Sequence, residues 1–300
     1  MVMKSPAINP DKQALADLRS QIDQIDGVIH DMLRERSEIV EHVRKYKGKQ
    51  GIYIRPGREA QMLRALMSRP QGKIPDGLVV RVWRELISAF TIVEGSLKVG
   101  VYAPEKGPDL WDVARDHYGS FTPLVEYPTA AAAIKALKDG KISVAVVPPP
   151  AQGEKDSWWP LLTADKANAL TVFQSMPFEP LKAGRSNARR ALPTGLIVGK
   201  HYPELTGDDR SFLVMQCTHV PEAEMKRLLG KAGYKVRHML THSTGRAASA
   251  PTSFLAEVEG FVGRADTRLG RLKAMMGSRL QQLMPLGGYP APLKGGRRTA

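Results

Sequence analysis

Arg36 is the residue in this sequence that most clearly calls for a chemical partner. Leu15, Leu18, Ile22, Ile25, Ile29, Met32, Ile39 and Val43 step alternately by three and four, the seam of a helix that packs along its whole length. The seam predicts an aliphatic side chain at position 36, and Ile39 and Val43 resume it on the far side. A guanidinium enclosed by apolar neighbours is costly unless an anion meets it, so Arg36 points to an anion-binding pocket. Arg19 and Lys47 lie on a neighbouring stripe, 28 residues apart, roughly 42 Å at 1.5 Å of rise per residue. No small molecule bridges that distance, so if both cations serve a site they serve different copies of it. The simplest arrangement is a homodimer of antiparallel long helices, with Arg19 of one chain reaching the pocket built around Arg36 and Lys47 of the other. The competing reading makes Arg19 and Lys47 solvated flanking charges.

The rest of the chain sets bounds on that chemistry. Three hundred residues with 42% hydrophobic content suit two or three small domains, each with its own core. The opening MVMKSPAINPDK has no apolar run, and no stretch approaches the roughly 20 apolar residues of a membrane helix, so neither secretion nor membrane insertion is expected. The single cysteine, Cys217, excludes an intramolecular disulfide and a cysteine-based metal site, and it favours the cytoplasm. A formal charge of +14 raises nucleic-acid binding as an option. The cations are spread over all segments, however, with dense tracts only at Arg185 to Arg190 and in the closing LKGGRRTA. That distribution fits attraction of small polyanions better than a nucleic-acid footprint.

Three helices are expected first. One runs from an N-cap at Asp11, after a disordered residue 1–10 segment, to about Gly48. After an extended Ile52 to Ile54 and a turn at Pro56 and Gly57, a second runs from about Arg58 to Met67. A third runs from about Pro75 to Glu94, with Val79, Val82, Trp83, Leu86, Ile87, Phe90 and Val93 as its apolar face. From Leu97 the period changes. Strands at LKVGVYAP, Leu124 to Tyr127, ISVAVVP, Ala169 to Met176 and Gly195 to Gly199 alternate with helices at Leu110 to Tyr118 and Ala130 to Leu137, an α/β layer pattern. Ala151 to Trp159 reads as a loop. From about Asp209 a strand at SFLVMQCTH, a helix at Pro221 to Ala232, strands at Tyr234 to Thr241 and Thr252 to Glu259, and a helix at Thr267 to Gln282 give a βαββα order. It closes with a short segment near Met284 to Tyr289, as in an α+β ferredoxin-like sandwich.

The segments LRSQIDQID, RERSEIVEHVRKYK, REAQML and WRELISAF resemble the all-helical, type II chorismate mutase family. The whole order resembles the bifunctional chorismate mutase–prephenate dehydratases that end in an ACT domain. The resemblance implies an all-α three-helix domain at 1–96, a periplasmic-binding-like α/β domain at 97–205, an ACT-like domain at 206–292, and a disordered basic tail at 293–300. It implies the rearrangement of chorismate to prephenate, which needs no cofactor, no metal and no covalent intermediate, only folding of the substrate and stabilisation of developing charge. By the family pattern Arg19 and Arg36 clamp the two carboxylates. Lys47 contacts a carboxylate and the ether oxygen, Arg58 supports the pocket, and Glu59 accepts a hydrogen bond from the ring hydroxyl. Glu94 stands where many relatives carry Gln, so it can donate to the ether oxygen only when protonated. Arg55, Gly57 and Phe90 depart from the family pattern without removing a cationic contact.

The later motifs are eroded. VGVYAPEKG, AIKALKDGKISVAVVP and PTGLIVG resemble dehydratase segments. Pro104 to Asp109 and Pro148 to Ala151 lack the expected polar side chains, and Thr194 is followed by Gly195 and Leu196 in place of Arg-Phe. The ending LGGYP resembles the close of the family's ACT domain, but VPEAEM and LTHST replace its effector motifs. His238 and His242 are not expected to form a metal pair. The expectation is therefore a homodimeric mutase with a degenerate dehydratase-like domain. The alternatives are a working bifunctional enzyme and a ligand-sensing binding protein whose helical segment is only a dimerisation arm.

Overall fold

The computed structural model describes residues 10–47, 54–106, 109–154, 157–163, 170–178, 194–243 and 251–293. The expected strand residues 52 and 53, the basic tract at 185–190 and the tail from 294 lie outside them. The chain divides into two compact units, Met1–Gly51 and Ile52–Ala300.

The described residues of the first unit form one helix, α1 (Pro10–Lys47), 38 residues long. It starts two residues earlier than an N-cap at Asp11 implies, so Asp11 lies in its first turn, where a carboxylate is favoured by the positive end of the helix dipole. On its polar side Arg34 pairs with Glu38 and Lys45 with Glu41 at i,i+4 spacing, each worth a few tenths of a kcal/mol (roughly 0.3–0.5) when exposed. The apolar seam is open along its length, from Val43 at 37% exposed to Ile25 at 58%.

The second unit begins with α2 (Pro56–Met67) and α3 (Asp76–Glu94). Pro56 and Gly57, expected as a turn, form the first turn of α2, because proline at the first helical position loses no hydrogen bond. Ala60 and Leu63 of α2 and Val80 of α3 share a core with Phe178, which comes from the sheet part of the unit. The expected apolar face of α3 is not the one most deeply buried. Its buried residues are Val79, Val80, Arg84 and Ser88, while Val82 and Val93 are 43% and 46% exposed. The helix is turned toward a polar stripe, and the reason is the ion pair that Arg84 makes.

The sheet follows, built from β1 (Val99–Tyr102), β2 (Leu124–Tyr127), β3 (Val144–Val147), β4 (Thr171–Met176), β5 (Gly195–Gly199), β6 (Asp209–Cys217), β7 (Val236–Ser243), β8 (Thr252–Glu259) and β9 (Leu280–Pro290). The helices are α4 (Trp111–Tyr118), α5 (Ala130–Lys138), α6 (Glu222–Ala232) and α7 (Thr267–Met276). The strands form one sheet in the order β2-β1-β3-β5-β4-β9-β6-β8-β7. Pairing is parallel for β2-β1-β3 and antiparallel for β3-β5-β4 and for β9-β6-β8-β7. The architecture is thus an N-terminal helical region and a large mixed sheet. The compact division falls after residue 51 and not near 96, because α2 and α3 share their core with the sheet.

Two further expectations change. The last helix stops at Met276, not Gln282: Gly277 takes φ +57 at its C-cap, and residues 280–290 are an 11-residue strand. The expected loop at Ala151 to Trp159 delivers Trp158 and Trp159 into the core and ends in a 3-10 turn, Trp159–Leu162. Pro148 fixes this end, its carbonyl accepting from Trp158 Nε1 at 2.9 Å.

The two halves of the sheet meet where β4 pairs with β9 through Val172 and Gly287. Gly287 has φ +112, and a Cβ there would sit 2.0 Å from the Val172 carbonyl oxygen. Only glycine allows both the backbone angle and the close approach. Gly287→Ala therefore destabilises the fold by more than about 2 kcal/mol. A lowered urea midpoint at unchanged slope is the expected result, and an unchanged midpoint refutes the assignment.

Candidate functional site

Glu59 projects from the first turn of α2 and Arg84 from the middle of α3. Arg84 Nη1 donates to Glu59 Oε2 at 2.8 Å, with the two side chains 4% and 12% exposed. Gln174 of β4 donates from Nε2 to the same oxygen at 3.1 Å. It sits where the register of β4 against β5 shifts, a bulge of the kind that re-aims a side chain. The Phe178 ring centre lies 5.4 Å from the Arg84 guanidinium carbon and 5.8 Å from that of Arg64. Both donors thus converge on Oε2, and Oε1 of Glu59 accepts no hydrogen bond from the described residues.

The end of α4 completes the cluster. Burial, and then the positive charge of Arg84, hold His117 well below its ordinary value, with nearby Gln174 opposing, so the imidazole is neutral. Burial and then the charge of Glu59 push the Tyr118 hydroxyl well above its ordinary value, with Arg84 opposing. Tyr118 Oη is buried and has no partner among the described residues. It borders a cavity lined also by Ile87, Ser88, Thr91 and Leu97, with room for about one water molecule. The arrangement fixes the direction of the Glu59 carboxylate through two donors on one oxygen.

The candidate residues from the sequence fall as follows. Arg19, Arg36 and Lys47 are on α1. Lys47 is the last residue of α1, about three turns beyond Arg36. Arg58 and Glu59 are adjacent on α2, Arg58 exposed and Glu59 turned inward. Glu94 is the last residue of α3 and half-buried. Arg84, Gln174, His117 and Tyr118 were not picked out from the sequence. The one available signal was Arg84 itself, a charge at i+4 from Val80 and i−4 from Ser88, on what became the buried stripe.

A second buried carboxylate, Glu257 of β8, accepts from the Tyr289 hydroxyl. Burial and that charge raise the tyrosine well above its ordinary value. Thr194 is a half-buried bend residue just before β5. His238 and His242 both lie on β7, roughly 13 Å apart at strand rise. Among the described residues no three His, Cys, Asp or Glu side chains gather as a metal site. No described helix is long and apolar enough to cross a membrane.

Residues 18–95 match the family model for chorismate mutase type II. The matched stretch contains Arg19, Arg36, Lys47, Arg58, Glu59 and Glu94. The chain is 29% identical over 146 residues to a bifunctional chorismate mutase/prephenate dehydratase of Pseudomonas aeruginosa, covering 46% of this chain and 39% of that protein. A protein of the same description from Neisseria gonorrhoeae is 30% identical over 130 residues, covering 43% of this chain and 35% of its own length. The aligned part therefore spans less than two fifths of either relative. Among solved structures, a prephenate dehydratase from Streptococcus mutans aligns with a TM-score of 0.45 at 15% identity, covering 66% of this chain and 100% of that one. A chain described as GqqA, a quorum-quenching acylase, aligns with a TM-score of 0.45 at 18% identity, covering 68% and 98%. Neither structural likeness bears on the chemistry of this chain.

The neutral state of buried His117 has a consequence for stability. The residue takes up a proton more readily unfolded than folded, so its contribution to stability is present above about pH 6.5 and is lost as the pH falls below that value. From this residue the slope is at most about 1.4 kcal/mol per pH unit. His201, also held low by burial, adds in the same direction. Urea unfolding of the parent and of His117→Gln at pH 7.5 and 5.5, roughly a unit either side of the ordinary histidine pKa, should show the smaller pH dependence in the variant. Equal dependence in both proteins overturns the assignment.

Proposed function

We propose that this chain is a chorismate mutase that rearranges chorismate to prephenate in aromatic amino-acid biosynthesis. The observation that carries the reading is that the stretch matching the type II mutase model contains all six residues whose types suit the reaction. Chorismate is a small dicarboxylate, and paired guanidinium groups suit its carboxylates. Arg19 and Arg36 clamp these, and Lys47 supplies positive charge to a carboxylate and to the ether oxygen as its bond to carbon breaks. Arg58 supports the pocket. Glu94 in its protonated form donates to the same ether oxygen, and Glu59 accepts from the ring hydroxyl. No covalent intermediate forms, so the rate comes from holding the folded substrate and from charge placed where charge develops.

The site is shared between two copies of the chain in this reading. The length of α1 separates Arg19 from Lys47 beyond the reach of one substrate, and its open apolar seam suits a second, antiparallel copy. The sheet from β1 to β5 is read as a degenerate, periplasmic-binding-like dehydratase domain. The order β6-α6-β7-β8-α7-β9 supports an ACT-like unit that serves stability, dimerisation or regulation. The single cysteine favours the cytoplasm as the compartment.

Two measurements test the mutase reading. In Arg36→Ala, chorismate consumption falls by roughly 100- to 1000-fold, the usual loss for one electrostatic donor, while the circular dichroism spectrum and melting temperature are kept. A variant that turns over at the parent's rate excludes the mutase reading. Glu94→Gln keeps a donor to the ether oxygen and retains turnover, whereas Glu94→Leu, which has none, loses roughly 100-fold or more. Equal turnover in the two variants removes Glu94 from the mechanism.

A further inference from the structure

We propose that Gln174 and Phe178, contributed by the sheet, are positioning residues for Glu59 and act on it with Arg84. The inference deepens the mutase reading and rests on it. A carboxylate that accepts from a substrate hydroxyl needs one oxygen free and its plane fixed. Here both protein donors, Arg84 Nη1 and Gln174 Nε2, converge on Oε2, which leaves Oε1 to the substrate. Two points of attachment on one oxygen define the direction of the other far better than one does. Arg84 is itself held, its side chain 4% exposed and its guanidinium carbon 5.4 Å from the centre of the Phe178 ring. Gln174 lies on β4 and Phe178 two residues beyond its end. β4 and the residues just past its end thus orient the carboxylate through one direct hydrogen bond and, by way of Arg84, through the face of one aromatic ring. A bare pair of helices offers neither contact, so the sheet is a working part of the site even where its own dehydratase-like motifs are eroded.

The test is a double-mutant cycle on the full-length protein, with chorismate as substrate. Gln174→Met keeps the side-chain volume and removes the donor. Its expected effect is a loss in kcat/KM of about tenfold, the scale of one hydrogen bond to a charged group. Most of the loss falls in kcat, with KM changed by less than about threefold, because Gln174 does not touch the substrate carboxylates. Gln174→Glu places a like charge beside Glu59 and loses more. In a Glu59→Gln background the Gln174→Met change alters kcat/KM by less than about twofold, because the group being oriented is gone. A merely structural role predicts the same loss in both backgrounds, and that result overturns the proposal, as does the absence of any loss from Gln174→Met. An active parent with an additive cycle sinks this proposal alone. A parent that leaves chorismate untouched sinks the mutase reading and this inference with it.

Discussion

The ion pair between Glu59 and Arg84 sets the arrangement of everything around it. Each partner is almost withdrawn from water, which costs several kcal/mol per ion before their attraction is counted (roughly, after relaxation). The contact at 2.8 Å, the second donor from Gln174 and the aromatic face of Phe178 offset that cost. Because two of these compensating groups belong to the sheet, α2 and α3 are bound to it. Because Arg84 must face inward, α3 presents Val80, Arg84 and Ser88 to the interior and leaves Val82 and Val93 outside. The pair also keeps Oε2 of Glu59 occupied, while Oε1 accepts nothing from the described residues.

A second constraint is steric. The mixed β1–β5 portion and the antiparallel β6–β9 portion become one sheet through the approach of β9 to β4 at Gly287, while at Gly288 a Cβ would sit 2.3 Å from the carbonyl oxygen of Arg210. Arg64 of α2 reinforces the junction from the helical side. It donates to Thr206 Oγ1 at 2.9 Å, to the Asp208 carbonyl at 2.8 Å and to the Ala291 carbonyl at 2.9 Å. These are polar groups that flank β6 and β9, and their satisfaction lets the helix lie against the sheet without stranding backbone acceptors. The paired glycines of LGGYP thus have a role in this chain that is independent of any effector.

Much of the element pattern was legible in the residues. The heptad steps of α1, the strands at Leu124–Tyr127, Gly195–Gly199 and Thr252–Glu259, and the end of α2 at Met67 follow from periodicity and from turn residues at their borders. The errors have local causes. Pro56 reads as a turn until it is placed at the first position of a helix. Residues 280–282 continue an apolar helical pattern that only the positive φ of Gly277 interrupts. The buried tryptophans after Ala151 lie in a stretch with no period at all, so nothing in sequence order marks them as core.

The sequence by itself determined that a long helix carries Arg36 on an apolar seam and that alternating strands and helices follow. Those properties depend on neighbours three, four or two positions away, and such neighbours are visible in the string of residues. Only the tertiary structure decided which face of α3 is buried, where the compact division falls, and which oxygen of Glu59 is taken. These depend on partners 25 and 115 residues distant along the chain. The energy of a buried charge is set by whatever side chains surround it in space, and no local pattern encodes that set.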